Sequence, residues 1–343
     1  MIATTPVARW VWGRDDETAD ALALCLRDLL TAYAVLTGHR LAPGGPTVHL
    51  SVSEARTSNS YLFKDELVVN ASALDRANVA ETVTGLAGAV EAGLRAGEIG
   101  SVDASVTCSG LVAAGDGGED VRRDQLFRLG ASSFADFVTV DLVTRTDVWL
   151  AYDLKGRPQP EVHAANGLRL ARALRDLSEA LGSETEPDDP TYFAKPTEEG
   201  IENYFDADGC ASDVWGSFEV PTRCDVFTHA PGFGRIGYRR TADGAVRYVP
   251  VRHESGELLG YLWACDSEKA ASFEPRDVGD DVTYRAGLVW LERLRSAHDR
   301  GLAPSEALAE LSMLPDMNGA GRVDPASGPR MAAITTLRDL ATG

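Results

Sequence analysis

Period-two segments that follow one another along the chain, with few helices between them, limit the architecture more than any other feature. Val48, Leu50 and Val52 alternate with polar neighbours, and Val102, Ala104, Val106 and Cys108 do so again. Tyr61-Leu62-Phe63 and Leu67-Val68-Val69 flank a charged turn at Lys64-Asp65-Glu66. Residues 134–142 and 148–152 read as a hairpin joined through Thr144-Arg145-Thr146-Asp147. Three helical stripes accompany these strands. The first runs through Ala19, Leu22, Ala23, Leu26, Leu29, Leu30 and Tyr33 to a stop at Gly38, and the third through Leu170, Leu174, Leu177 and Leu181 to Gly182. The second starts near Asn78, with Glu81 at capping-box spacing, and continues through Val79, Val83, Leu86, Val90 and Leu94. Strands adjacent in sequence predict an α+β fold rather than an alternating parallel sheet.

A chain of 343 residues exceeds what one hydrophobic core organises, so two domains are expected. With 44% hydrophobic and 25% charged residues, both should be packed. Residues 183–196, SETEPDDPTYFAKP, combine carboxylates with three prolines and break every periodicity. They predict a linker between an N-terminal α+β domain (1–182) and a C-terminal domain (197–314). The latter holds a meander over 236–239, 246–251 and 258–264, with turns at Ala242-Asp243-Gly244 and Glu254-Ser255-Gly256-Glu257. Helices follow over 281–298 and from Pro304 through Leu308 and Leu311. From 315 to 343 the Gly- and Pro-rich composition predicts a loose tail with a weak helix near 335–340. Each domain is thus expected to be a mainly antiparallel sheet packed with helices.

Charge narrows the partners. Lys and Arg number 33 against 52 Asp and Glu, a formal −19, which repels phosphate backbones and anionic lipid. Arg122-Arg123 and Arg239-Arg240 are only doublets, so neither nucleic acid nor membrane is an expected partner, whereas a basic protein is. No run of about 18 apolar residues occurs and the first residues lack a secretory pattern, which predicts a cytoplasmic chain. Five dispersed cysteines, with no C-x-x-C pair, suggest neither disulfides nor zinc.

Motifs for chemistry are weak. Gly232-Phe233-Gly234-Arg235-Ile236-Gly237 fits G-x-G-x-x-G, but a dinucleotide site needs that loop to open a helix, and here a strand pattern follows. Asp206, Asp208, Gly209 and Asp213 miss the calcium-loop pattern, having Tyr204 at its first position and Trp215 at its last. His253-Glu254 lacks a second histidine, and Cys108-Ser109-Gly110 and Cys224 near His229 read as structure rather than as nucleophiles. No cofactor, metal or catalytic residue is expected.

What stands out instead is a density of aromatics among carboxylates. Tyr192, Phe193, Tyr204, Phe205, Trp215, Phe218, Phe227 and Phe233 share one stretch with Glu198, Glu199, Asp206, Asp208, Asp213 and Glu219. Rigid aromatics with a polar rim are what protein interfaces concentrate. The predicted partner-binding set is therefore Glu198, Glu199, Asp206, Asp208, Asp213, Trp215, Phe218 and Glu219, with Trp215 as anchor.

Two stretches, 149–182 with Asp153-Leu154-Lys155-Gly156-Arg157-Pro158 and 248–276 with Gly260-Tyr261-Leu262-Trp263, resemble uncharacterised cytosolic proteins of high-GC actinobacteria. Such acidic chains look like immunity or accessory proteins for secreted toxins, and the resemblance carries over no site residue. The reading is a non-enzymatic protein-binding module, an immunity protein masking a basic toxin domain. The alternative is an enzyme with its site in the cleft between the two domains.

Overall fold

The computed structural model describes residues 1–17, 20–57, 59–69, 74, 76–114, 119–228, 232, 233, 242, 244–316 and 319–342. The chain divides into two compact units, Met1–Val214 and Trp215–Gly343. Both pair helices with antiparallel sheet, as the α+β reading expects.

In chain order the first unit comprises β1 (Ala8–Asp15), α1 (Ala21–Gly38), β2 (Thr47–Glu54), β3 (Tyr61–Val68), α2 (Val79–Gly93), β4 (Ile99–Val112), β5 (Val121–Phe134), β6 (Phe137–Thr144), α3 (Pro160–Leu181), β7 (Glu186–Pro187), β8 (Lys195–Thr197) and β9 (Gly200–Glu202). Seven strands form one sheet in the order β3-β2-β4-β5-β6-β1-β7, and β8 and β9 form a separate hairpin. The alternation read from the sequence sets its two faces. Leu50 pairs with Ala104, Ala104 with Ala131, Ala131 with Val140 and Val140 with Trp12, so this row is buried beneath the helices. The neighbouring row, Ser51, Asp103, Ser132 and Thr139, looks the other way. Helix α1 lies over β4, β5 and β6, with α2 and α3 packed against it, and among the described residues of the unit no helix covers the opposite face.

Helix α1 is long and apolar enough to cross a membrane by length and composition, with a mean hydropathy of 1.4, yet twelve of its residues are buried in this core. Asp20 caps its N-terminus by accepting from the Ala23 amide. Gly182, left-handed at φ 64°, ends α3 where the sequence places the stop.

The second unit holds a π-helical turn over Trp215–Glu219, then α4 (Val220–Thr228), β10 (Ala245–Arg252), β11 (Leu258–Cys265), β12 (Ala270–Pro275), α5 (Asp281–Asp299), α6 (Pro304–Leu311), β13 (Arg322–Val323), β14 (Arg330–Ala333) and α7 (Ile334–Thr342). Strand β10 pairs on one side with β11 and on the other with β13 and β14. Val249 and Val251 face α5 and α6, while Val246 and Tyr248 face α7, so the sheet is covered on both faces. Burial on both sides accounts for the apolar run Tyr248-Val249-Pro250-Val251 within β10.

Several expectations are corrected. Tyr61–Val68 form one strand passing straight through Lys64-Asp65-Glu66, because these three residues pair with Ser51, Leu50 and His49 of β2. The hairpin joins β5 to β6 at Ala135-Asp136, and 148–152 is no strand: Trp149 stacks on Phe127 at 5.1 Å and the segment turns. Residues 183–196 are not a linker, since Glu186 and Pro187 extend the main sheet and Phe193 and Ala194 are buried; the division falls at 214/215. The stretch after 315 is no loose tail, because β13, β14 and α7 complete the second sheet, with Leu337 fully buried. The glycine motif beyond Phe233, the strand over 236–239, His229 and the loop 115–118 lie outside the described residues.

Candidate protein-binding surface

The formal charge is divided unevenly. Residues 1–214 contain 34 Asp and Glu against 18 Lys and Arg, a formal −16 of the chain's −19. Residues 184–213 carry ten of those carboxylates and one cation, Lys195, and all ten carboxylate residues are exposed. Like charges at this density repel one another, so the segment needs a scaffold to hold its course.

That scaffold is backbone and small polar side chains. Ser183 Oγ donates to Gly13 O, β7 pairs with Trp10 and Val11, and the Asp188 amide donates to Arg9 O. Thr191 Oγ1 donates to Val7 O, and Trp10 Nε1 to Thr197 O at 2.8 Å. The prolines that break periodicity sit where no ladder hydrogen bond is lost, Pro187 on the sheet edge and Pro196 in a three-residue strand. Glu198 and Glu199 form the two-residue tip of the β8–β9 hairpin. Asn203 then exchanges two hydrogen bonds with the Tyr152 backbone, and Tyr204 Oη donates to Thr191 O.

The last turn of the segment is shaped by its own carboxylates. Asp206 accepts from Ser212 Oγ and Asp208 from the Cys210 amide, while Gly209 supplies a φ of +83°. Gly156, at φ +75°, lets this turn approach, since a Cβ there would stand 2.4 Å from Ala211 O. Two aromatic rings project among the carboxylates: Tyr192 is 71% exposed and Phe205 55%, the latter edge-on to Tyr152 at 5.7 Å. Lys195 Nζ lies 5.3 Å from the Tyr204 ring centre.

The eight residues singled out in the sequence fall in both units and differ in burial. Glu198, Glu199, Asp206, Asp208 and Asp213 are exposed on the first unit, and Trp215, Phe218 and Glu219 belong to the second. Trp215 is 2% exposed and Glu219 fully buried, so neither is a surface contact, and the anchor role assigned to Trp215 is corrected. Their surroundings give the reason. The Arg223 guanidinium lies between the Trp215 and Tyr284 rings, 4.5 and 4.4 Å from their centres, and donates to Glu219 Oε1 at 2.7 Å, Asp281 Oδ1 at 2.8 Å and Val278 O at 3.1 Å. Glu219 and Arg223 stand at i, i+4 spacing, a sequence signal that marks this pair as structural. Phe218, 40% exposed, keeps one edge in solvent. Tyr192 and Phe205, which the sequence reading grouped with the other aromatics, are the two that reach solvent on the acidic segment.

Comparison with protein-family models, with curated proteins and with solved structures finds no match to this chain.

Proposed function

We propose that the chain is a protein-binding module that presents residues 184–213 to a basic partner protein. One observation carries the reading: ten exposed carboxylates and two exposed aromatic rings stand on a backbone fastened to the sheet through β7 and to the Tyr152 backbone through Asn203. Charge of one sign accelerates encounter with an opposite surface, and burial of rigid rings then slows dissociation. Because the segment is already folded, binding costs little additional ordering of its backbone. An immunity protein masking a basic toxin domain is the form this function takes under the sequence resemblance. Duplex nucleic acid, with the opposite charge requirement, is not bound.

The test is capture of the partner from extract of the source cell, followed by kinetics with the purified pair. Neutralising Glu198, Glu199, Asp206 and Asp208 to the amides should lower the association rate by roughly tenfold at low ionic strength and far less at high salt. Tyr192→Ala with Phe205→Ala should raise the dissociation rate by about tenfold or more, matching the loss of ~1.4 kcal/mol or more expected of buried aromatic contacts. A captured partner that binds both folded variant sets as it binds the parent overturns the proposal.

A further inference from the structure

On the face of the seven-stranded sheet turned away from α1, strands β1 and β5 and the end of β6 bring together three arginines. Arg128 on β5 is directly opposite Val143 on β6, and Val143 is directly opposite Arg9 on β1, so the two guanidinium side chains flank Val143 from adjacent strands. Arg145, two residues beyond Val143, has the same side-chain parity and is exposed. Asp141, two residues before, forms an ion pair with Arg9, whose Nε is 3.4 Å away, and accepts a hydrogen bond from Arg128 Nη1 at 3.3 Å. Gly130 makes room for that carboxylate, since a Cβ there would stand 2.2 Å from Asp141 Oδ1. Asp188 takes one further hydrogen bond from Arg9. Among the described residues Arg145 has no ion-pair partner.

These residues line a hollow of about 550 Å³, to which Thr107 and Gln125 add polar lining and Pro6, Phe127 and Val143 apolar lining. Three cations against one lining carboxylate is a local excess of positive charge in a unit that is otherwise −16. The volume lies within the range of small-molecule sites, and a planar guanidinium offers paired donors to a carboxylate or phosphate. We infer that this hollow binds a small organic oxyanion, its charged group held by Arg128 and Arg145 and its apolar part resting on Val143. Arg9 and Asp141 act as positioning residues: the shared carboxylate fixes Arg128 and leaves its remaining donors for the ligand. Residues 184–213 meet this site through the Asp188–Arg9 hydrogen bond, but none of them lines the hollow, so its ligand is tested separately from the protein-binding reading.

Calorimetric titration of the full chain at low salt tests it with phenyl phosphate and benzoate, and with benzyl alcohol as the uncharged control. At least one of the two anions should bind saturably, one per chain, with a Kd of about 1 mM or tighter, and the alcohol should not. The arm that saturates identifies phosphate or carboxylate as the charged group. Arg145→Ala, which breaks no ion pair among the described residues, should weaken binding about tenfold, and Arg128→Lys should weaken it by a similar factor because the planar fork is lost. Arg172→Ala, on the exposed side of α3, should leave it unchanged. Absence of saturation with both anions overturns the inference. So does saturable binding that Arg145→Ala and Arg128→Lys leave intact, or that Arg172→Ala weakens as much.

Discussion

Replacing Arg223 by Met removes the cation from between Trp215 and Tyr284 while keeping most of the side-chain volume. What remains is Glu219, fully buried and deprived of its 2.7 Å partner, and Asp281, which is partly exposed and can be solvated. Removing one member of a buried pair costs about 3–5 kcal/mol, because the charge left behind stays out of water and has lost the opposite charge that offset its burial. The lost stacking on two rings acts in the same direction and is not additive with that figure. Equilibrium urea unfolding of the full chain, followed by near-ultraviolet circular dichroism, should therefore show the transition of residues 215–343 lowered by about 3–5 kcal/mol. Adding Glu219→Leu to Arg223→Met should recover at least half of the loss, since an apolar replacement of both partners removes the stranded charge. A single variant costing less than about 1 kcal/mol, or a double variant no better than the single, would refute the view that the pair is sealed from solvent.

Three further outcomes are expected. Gly156→Ala should destabilise the first unit by about 2 kcal/mol or more in the same assay, because the new Cβ meets Ala211 O at a left-handed φ; Gly200→Ala, in open space, serves as the control. In the native protein Ellman's reagent should titrate two thiols, Cys210 first and Cys224 more slowly because burial and the Glu274 charge raise its pKa. Cys25, Cys108 and Cys265 are buried, with Cys108 pushed up to about 12, and should react only after unfolding. Asp324 is held below the usual carboxylate range by the Ala326 amide, Ser327 and Arg252, so its contribution to stability is present above the unfolded pKa of about 3.9 and lost as pH falls through the lower folded value. Asp324→Asn should flatten the acid limb of thermal midpoint against pH, and an unchanged limb would count against the assignment.

The strong periodicities were legible in the sequence. The stripes of α1 and α3, the alternation of β4 and the long strands of the second unit lie where spacing places them, because each buries one complete face. Strand β5 was not, since its buried positions include Ala131 and Ser133 and its register shifts beside Cys108, which erases a clean period of two. Strand β1 carried its signal openly in Ala8, Trp10 and Trp12, but an N-terminal stretch invites inspection for a leader rather than for a strand. The acidic segment read as a break because its fastening is by side chain to distant backbone, as with Thr191 to Val7, and no local pattern encodes such a bond. Trp215 illustrates the limit for sites: an aromatic among carboxylates reads as an interface until the arginine eight residues on is seen against its ring.

The position of β1 has a consequence for how the chain reaches this fold. Its partners are β6 and β7, residues 137–144 and 186–187, whereas β2 to β6 join neighbours close to them in sequence. Of these strands β1 is made first yet is among the last that can be placed, waiting about ten seconds at ordinary synthesis rates for β6 to follow. Throughout that interval β1 lacks the strand against which Trp10 and Trp12 are packed in the finished fold. Refolding of the complete chain meets the same constraint as a long loop closure, which places the slow step in the docking of β1 rather than in the meander.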